Sequence, residues 1–412
     1  MNLRASHPRK GSVFVASFVL LLGISVVLIA LGSEIALDLR MSSNLAEADQ
    51  AREIARIGID YAIYLANANP SWRAMYPSGA WVSNMSVGGG TLTVSVTSPN
   101  GNFNCPIDPL TVRSAGTYKG STRTFSATLK PPVHDSMMFL FHVGYVGTSG
   151  SKLYIDSASR ILGDISCQEV SYKSGSAPDF RGDIYMTSAG WVQSGLTDAD
   201  TRIVQIPSPP TLPSVDFNWF ISRGSQITPP GSDPLYVTDK LISPTANPYG
   251  FSNASGIYYI DAAGKEVKFT RCYITATIVL IRTKKVTFDK ACVHSPASPD
   301  LPALVTDGDV DYSFTQNLSE SESNVDFNGN ATKTDVFIPS VSGVIYSSKR
   351  IRGMQYSGGT NLVRFNGALV ANTLEIYGAP CIFEQDPSLS TNLVNQFQGL
   401  GLKLVNGSIK LE

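Results

Sequence analysis

Residues 11–33 read GSVFVASFVLLLGISVVLIALGS, and no charged residue interrupts the run between Lys10 and Glu34. At about 1.5 Å per residue, a helix of this length covers the roughly 30 Å hydrocarbon core of a bilayer. Arg4, Arg9 and Lys10 precede it, and Glu34 and Asp38 follow it. That asymmetry predicts a cytoplasmic N-terminus, with everything after Glu34 outside the cytoplasm. The apolar run is too long for a cleaved secretory signal, and no small-x-small site follows it. The chain is expected to be tethered to the inner membrane by a single pass over 12–33.

The helical pattern continues beyond the membrane. No proline occurs between Pro8 and Pro70. Ala51, Ile54, Ile57, Gly58, Tyr61, Tyr64 and Leu65 recur at three- and four-residue steps, which predicts one apolar stripe. Arg52, Glu53, Arg56 and Asp60 fall on the other faces, with Arg56 and Asp60 spaced for a helical ion pair. The expected product is one helix over 12–68, near 80 Å long by the helical rise. The sequence NANPSW over 67–72 ends it.

The join Pro8-Arg9-Lys10-Gly11-Ser12 places a short basic leader ending in Gly directly before the apolar run. It resembles the processing site of type IV prepilins, which implies cleavage of a 1–11 leader between Gly11 and Ser12 by a prepilin peptidase. Ala16 stands where many pilins carry Glu, which narrows the resemblance to minor, initiating subunits. The stretch 39–64, LRMSSNLAEADQAREIARIGIDYAIY, is similar to the N-terminal region of PilX-type pilus assembly proteins. Arg40, Met41 and Asn44 form the polar step of that family, followed by Ala46, Ala48, Ala51 and Ala55. The resemblance covers about the first seventy residues. It implies other pilin-like subunits as partners, met through the N-terminal helix.

A small β unit is expected over 69–132. TLTVSVT over 91–97 alternates strictly after a triple-glycine turn, and 110–118 and 121–129 form two more strands joined at Lys119-Gly120. Three short strands are marginal alone, but become stable when a helix covers one face. This gives an α+β pilin-like module, a long membrane-spanning helix plus a small antiparallel sheet.

From 133 to 412 the sequence shows short apolar bursts separated by turn residues. Ile161-Leu162-Gly163-Asp164-Ile165 recurs as Phe180-Arg181-Gly182-Asp183-Ile184, nineteen residues on. A fainter echo is Asp307-Gly308-Asp309-Val310. A repeat near twenty residues with one or two strands per turn is a solenoid signature. The all-β domain is therefore expected to be a right-handed parallel β-helix, with an irregular β-sandwich as the alternative. Loop insertions are expected near 205–250, where prolines are dense, and near 311–335, around Ser319-Glu320-Ser321-Glu322-Ser323. GVIYSSKRIRG and FNGALVANTLEIYGAPCIFEQDPSL also resemble the closing coils of β-helical domains in bacterial surface proteins.

The formal net charge of −1 gives no electrostatic case for nucleic acid. Charged residues are only 16% of the chain, with 35 Gly and 24 Pro, which fits an extracytoplasmic turn-rich β protein. Five scattered cysteines without a CxxC give no zinc site. Cys272 and Cys292 are placed either to pair across neighbouring strands or to remain buried thiols. No nucleophile elbow, HExxH or phosphate-binding glycine loop occurs. No catalytic, cofactor or metal residue is assigned, and the protein is expected not to be an enzyme. The nearest approach to a catalytic set is Asp307, Asp309 and Asp311, three carboxylates at alternate positions. Arg181-Gly182-Asp183 spells an adhesion tripeptide but is expected to be a turn. Two roles follow. One is a minor pilin-like subunit of a type IV pilus or type II secretion pseudopilus, acting in assembly, priming or tip display. The other is a membrane-tethered carbohydrate-binding or carbohydrate-active β-helix, with a surface polysaccharide as ligand.

Overall fold

The computed structural model describes residues 10–69, 72–99, 103, 109–130, 135–144, 152–156, 158–173, 178–196, 201–356, 363–378, 380–390, 396–398 and 402–412. The chain divides into two compact units. The first takes Met1–Asn104, Asp108–Lys130 and Gly401–Glu412, and the second takes Cys105–Ile107 and Pro131–Leu400.

The first unit is built on α1 (Lys10–Ala68) and four antiparallel strands, β1 (Gly79–Val87), β2 (Gly90–Thr97), β3 (Leu110–Tyr118) and β4 (Ser121–Lys130). Alternation in the strands turns Leu92, Val94, Val96, Leu110, Val112, Phe125, Ala127 and Leu129 toward one face, where all are buried. The C-terminal half of α1 covers that face with Ala51, Ile54, Ala55, Ile59, Ala62 and Ala66.

This face is rotated from the stripe read in the sequence. Ile57 and Tyr64 are exposed, at 44% and 62%. Close approach is the reason. A Cβ on Gly116 of β3 would lie 2.3 Å from the Ala51 carbonyl oxygen, and one on Gly58 would lie 2.1 Å from Ser114 Oγ. Where helix and strand backbones come this near, only Gly and Ala fit between them, so the larger side chains remain outside.

The last twelve residues were expected to belong to the C-terminal domain. They are strands of the first unit instead. Lys403–Leu404 and Lys410–Leu411 pair antiparallel with the open edge of β4, Leu404 opposite Leu129 and Leu411 opposite Phe125. An apolar edge strand left unpaired is a liability, and the chain's end covers this one. Leu402 N–H donates to Asn67 Oδ1 at 2.8 Å, and Arg113 pairs with Glu412 at 2.7 Å.

The second unit is a mostly β domain with a large parallel sheet. One column of paired strands shows its order. Ser225–Gln226 lies on Ile257–Asp261, then Thr277–Ile281, Leu304–Thr306, Ser340–Ser347 and Arg364–Ala371 follow. Phe141–Val143 comes next, then Ile165–Ser166, Ile184–Met186 and Ile203–Gln205. The chain therefore starts in the middle of the stack, runs to one end at Gln205, crosses to the opposite end at Ser225, and returns until Leu369 lies on Phe141. The nineteen-residue repeat is visible as register, with Ile161 opposite Phe180 and Ile165 opposite Ile184. Equivalent residues of successive layers stack, as Phe269, Phe288 and Tyr312 do, with ring centroids 5.0 and 4.8 Å apart.

The crossing segment falls in the loop insertion expected over 205–250. It is a strap lying along the outside of the column. Leu212, Val215, Phe217 and Phe220 pack on Ile257, Val279, Val305, Val344, Tyr346 and Val370. Thr277–Ile281, TIVLI, therefore reads as a continuous apolar run, since Ile278 and Leu280 face the inner core and Val279 faces the strap. His142 Nε2 donates to the Thr211 carbonyl at 2.8 Å, and Ser214–Val215 pairs with Phe397–Gln398. Residues 225–242 supply short strands to the stack. The insertion expected over 311–335 differs, because Asp309–Phe314 is a strand and Glu320 is buried. The Glu320 carboxylate accepts from Phe327 N–H at 2.7 Å and Asp335 N–H at 3.2 Å, which anchors both ends of the loop.

Gly116→Val is expected to destabilise the first unit by about 1–3 kcal/mol through overpacking, whereas Ile57→Ala should stay within about 0.5 kcal/mol. Hydrogen exchange of β2 and β3 in the detergent-solubilised full chain measures both. Equal protection in the wild type and Gly116→Val would contradict the seating of the helix on β3.

Candidate functional site

The N-terminal half of α1 presents the most unusual surface among the described residues. From Val13 to Leu45 every side chain is exposed, and the large apolar ones include Phe14 at 75% and Ile29 at 73%. Its most apolar window has a mean hydropathy of 2.9 and no buried residue. It is the helix of the described chain long and apolar enough to cross a membrane. An apolar surface of this size in water is unfavourable by about 25 cal/mol for each Å². The three hydroxyls between Val13 and Ser33 are satisfied within the helix. Ser17 Oγ donates to Val13 O and Ser25 Oγ to Leu21 O, both at 2.8 Å, and Ser33 Oγ donates to Ala30 O at 2.7 Å. No polar group of these side chains needs water, which is what a lipid or protein-core environment requires.

Gly11 and Ser12 lie in the first turn of α1 by backbone, and their side chains fall outside the described residues, as does the whole of segment 1–9. Ala16 leaves the apolar run without a carboxylate. Arg40, Met41 and Asn44 are exposed, and of the alanines that follow, Ala48, Ala51 and Ala55 are buried against the sheet while Ala46 faces outward.

The carboxylates at 307, 309 and 311 do not share one face. Asp307 sits in the turn before the strand and accepts from the backbone N–H groups of Arg282 and Thr283 at 2.7 and 2.8 Å. Asp309 pairs with Arg350 at 3.0 Å, and Asp311 pairs with Arg352 at 2.8 Å and Lys285 at 2.9 Å. Hydrogen bonding to Asp311 holds the Arg352 guanidinium even more firmly charged than usual. The sequence carried a signal for this. Asp-x-Asp over 309–311 and Arg-x-Arg over 350–352 are complementary, and they become neighbours because Asp311 lies opposite Arg352. These acids neutralise a cation ladder along the stack.

Arg181-Gly182-Asp183 is a bend within one layer, between the strands Asp179–Arg181 and Ile184–Met186, stacked on the Leu162-Gly163-Asp164 bend of the next. A Cβ on Gly182 would lie 2.3 Å from the Gly163 carbonyl, Arg181 bonds Asp179 at 3.2 Å, and Asp183 bonds Arg202. The Arg202 guanidinium holds the Asp183 carboxyl below the usual carboxylate range.

Cys272 and Cys292 are register partners inside the core and remain thiols. Burial pushes the Cys292 thiol well up, and the Cys381 thiol to about 12, so neither ionises in the folded protein. Cys105 lies outside the described residues. His294 is buried, stacked 5.2 Å from Phe288, and 3.0 Å from the Ala303 carbonyl, to which its Nε2–H donates. Burial lowers its pKa to about 4.

No protein family model and no curated protein matches this chain. Among solved structures it is similar to the competence-associated pilin ComZ from Thermus thermophilus, at 10% identity over 89% of this chain and 98% of that one, with a TM-score of 0.33. At that score the similarity carries no weight for fold or role. The functional reading stands on this chain's own geometry.

Two outcomes follow for the second unit. Asp311→Asn leaves Lys285 and Arg352 half-buried without their anion, and is expected to lower stability by about 1–3 kcal/mol in denaturant titration. His294 binds a proton more readily unfolded than folded, so its contribution is fully present above about pH 6.5 and lost as pH falls toward about 4. The denaturation midpoint should drop across that window in the wild type and less so in His294→Gln. Parallel pH profiles would show that His294 does not stay neutral in the fold.

Proposed function

We propose that this chain is a membrane-anchored, PilX-like minor pilin subunit of a type IV pilus or type II secretion pseudopilus, acting by association and not by catalysis. The observation that carries this reading is the division of α1. Its first half is bare and apolar, and its second half is locked on a small antiparallel sheet. A helix of this kind waits in lipid and then enters a bundle of like helices, exchanging lipid contacts for protein ones. Ile57 and Tyr64, exposed beyond the apolar run, extend that surface toward neighbouring subunits.

In this reading the leader ends at Gly11, a prepilin peptidase cuts before Ser12, and the N-terminus faces the cytoplasm while the rest lies outside it. The parallel stack of the second unit is a β-helix, carried as an insertion in the pilin-like unit between β4 and the closing strands. A passenger spanning 131–400 crowds a repeating filament subunit, which favours priming or tip display. The pairing of Asp309 and Asp311 with arginines of the next layer supports a structural role for these carboxylates.

N-terminal sequencing of membrane-extracted protein, with and without the prepilin peptidase, tests the reading. A start at Ser12 that disappears with the peptidase is expected. An intact leader in both strains would sink the filament role and leave a tethered β-helix.

A further inference from the structure

A cavity of about 540 Å³ lies where the short helix Phe217–Arg223 of the strap meets the turns at 254–257 and 297–301 and the segment at Gln396. Its size falls in the range of about 300–1,000 Å³ usual for small-ligand sites. All of it belongs to the second unit. Trp219, Arg223, Ser255, Ser298, Asp300 and Gln396 give it its chemistry.

Gln396 is only 5% exposed, and its Oε1 has no hydrogen-bond partner among the described residues. A buried acceptor left empty destabilises the fold that contains it, so such a group on a residue lining a cavity points to a donor that arrives from outside when the side chain turns toward the opening. Asp300 accepts from Ser298 Oγ but forms no ion pair among the described residues. Arg223 likewise has no carboxylate. Its guanidinium lies 4.5 Å over the Trp219 ring and reaches Ser222 Oγ at 3.3 Å. Several other charged side chains of this unit are paired from layer to layer, as Asp309 is with Arg350 and Lys268 with Asp289.

We propose that this cavity is a saccharide subsite, holding one or two pyranose units of a neutral glycan. Sugar hydroxyls donate and accept at once, so they can donate to Gln396 Oε1, to Asp300 and to the Oγ atoms of Ser255 and Ser298, whose own protons go to Asn253 and Asp300, while accepting from Arg223. The apolar C–H face of a pyranose matches an indole wall, and Trp219 supplies one. The proposal is independent of the pilin reading, since leader removal at Gly11 and glycan binding are separate measurements.

The test is isothermal titration of the detergent-solubilised full chain with cellotriose, maltotriose, chitotriose and mannotriose, each to about 10 mM. At least one trisaccharide is expected to bind. Asp300→Asn, at an exposed position, should weaken it about tenfold or more. Gln396→Met should also weaken binding about tenfold, while leaving the denaturation midpoint unchanged or raised, because it removes the orphan acceptor. Binding by none of the four sugars, or binding that both variants leave intact, would overturn the proposal.

Discussion

Main-chain hydrogen bonds at one seam close the second unit. Leu369 N–H donates to Leu140 O at 2.8 Å, Gly144 N–H to Ala371 O at 2.9 Å, and Arg160 N–H to Cys381 O at 2.9 Å. These bonds join the first strands of the unit to its last, so a stack that the chain visits out of order has a continuous interior. Phe141, Leu153 and Ile161 lie opposite Leu369, Leu374 and Phe383 across that seam, and all six are buried. The strap follows from the same constraint. A chain that begins in mid-stack has to travel from one end to the other, and the apolar outer side of the central column gives it a surface to bind.

The seam also makes the insertion possible. A domain inserted in another needs its two ends side by side. Within the second unit, the turn Asp135–Met138 packs against Pro387–Ser390, and Gln385 Nε2 donates to Met138 O at 2.7 Å. Within the first unit, the two chain exits meet as Lys130 and Lys403, register partners on β4 and its closing strand.

The long helix, the strands β2 to β4 and the nineteen-residue repeat were legible because each has a local cause. These are the absence of proline, strict alternation, and turn residues at fixed spacing. The buried face of α1 was misread because hydrophobicity marks Ile57 and Tyr64, while the packing selects Gly and Ala at close approach. The strap and the order of the stack were invisible, because they depend on pairings between residues far apart in sequence. The same holds for the cavity. Trp219, Asp300 and Gln396 come from three separate segments, and no spacing rule connects them. The acidic triplet failed for a related reason, since only the pairing partner shows that Arg350 and Arg352 occupy its carboxylates.

The seam sets a timetable as well as a shape. Asn372 Nδ2 donates to Gly144 O at 3.2 Å across 228 residues of chain. The segment from Phe141 to Gln205, synthesised before the strands it meets at the seam, thus has its apolar layer unsealed until the final layers are made. Loop closure of that length is slow, and a bare strand edge invites wrong partners in the interval. Synthesis and folding of this unit are accordingly coupled end to end. A chain truncated anywhere before Leu369 would emerge as a half-stack with an open edge and not as a smaller version of the same fold.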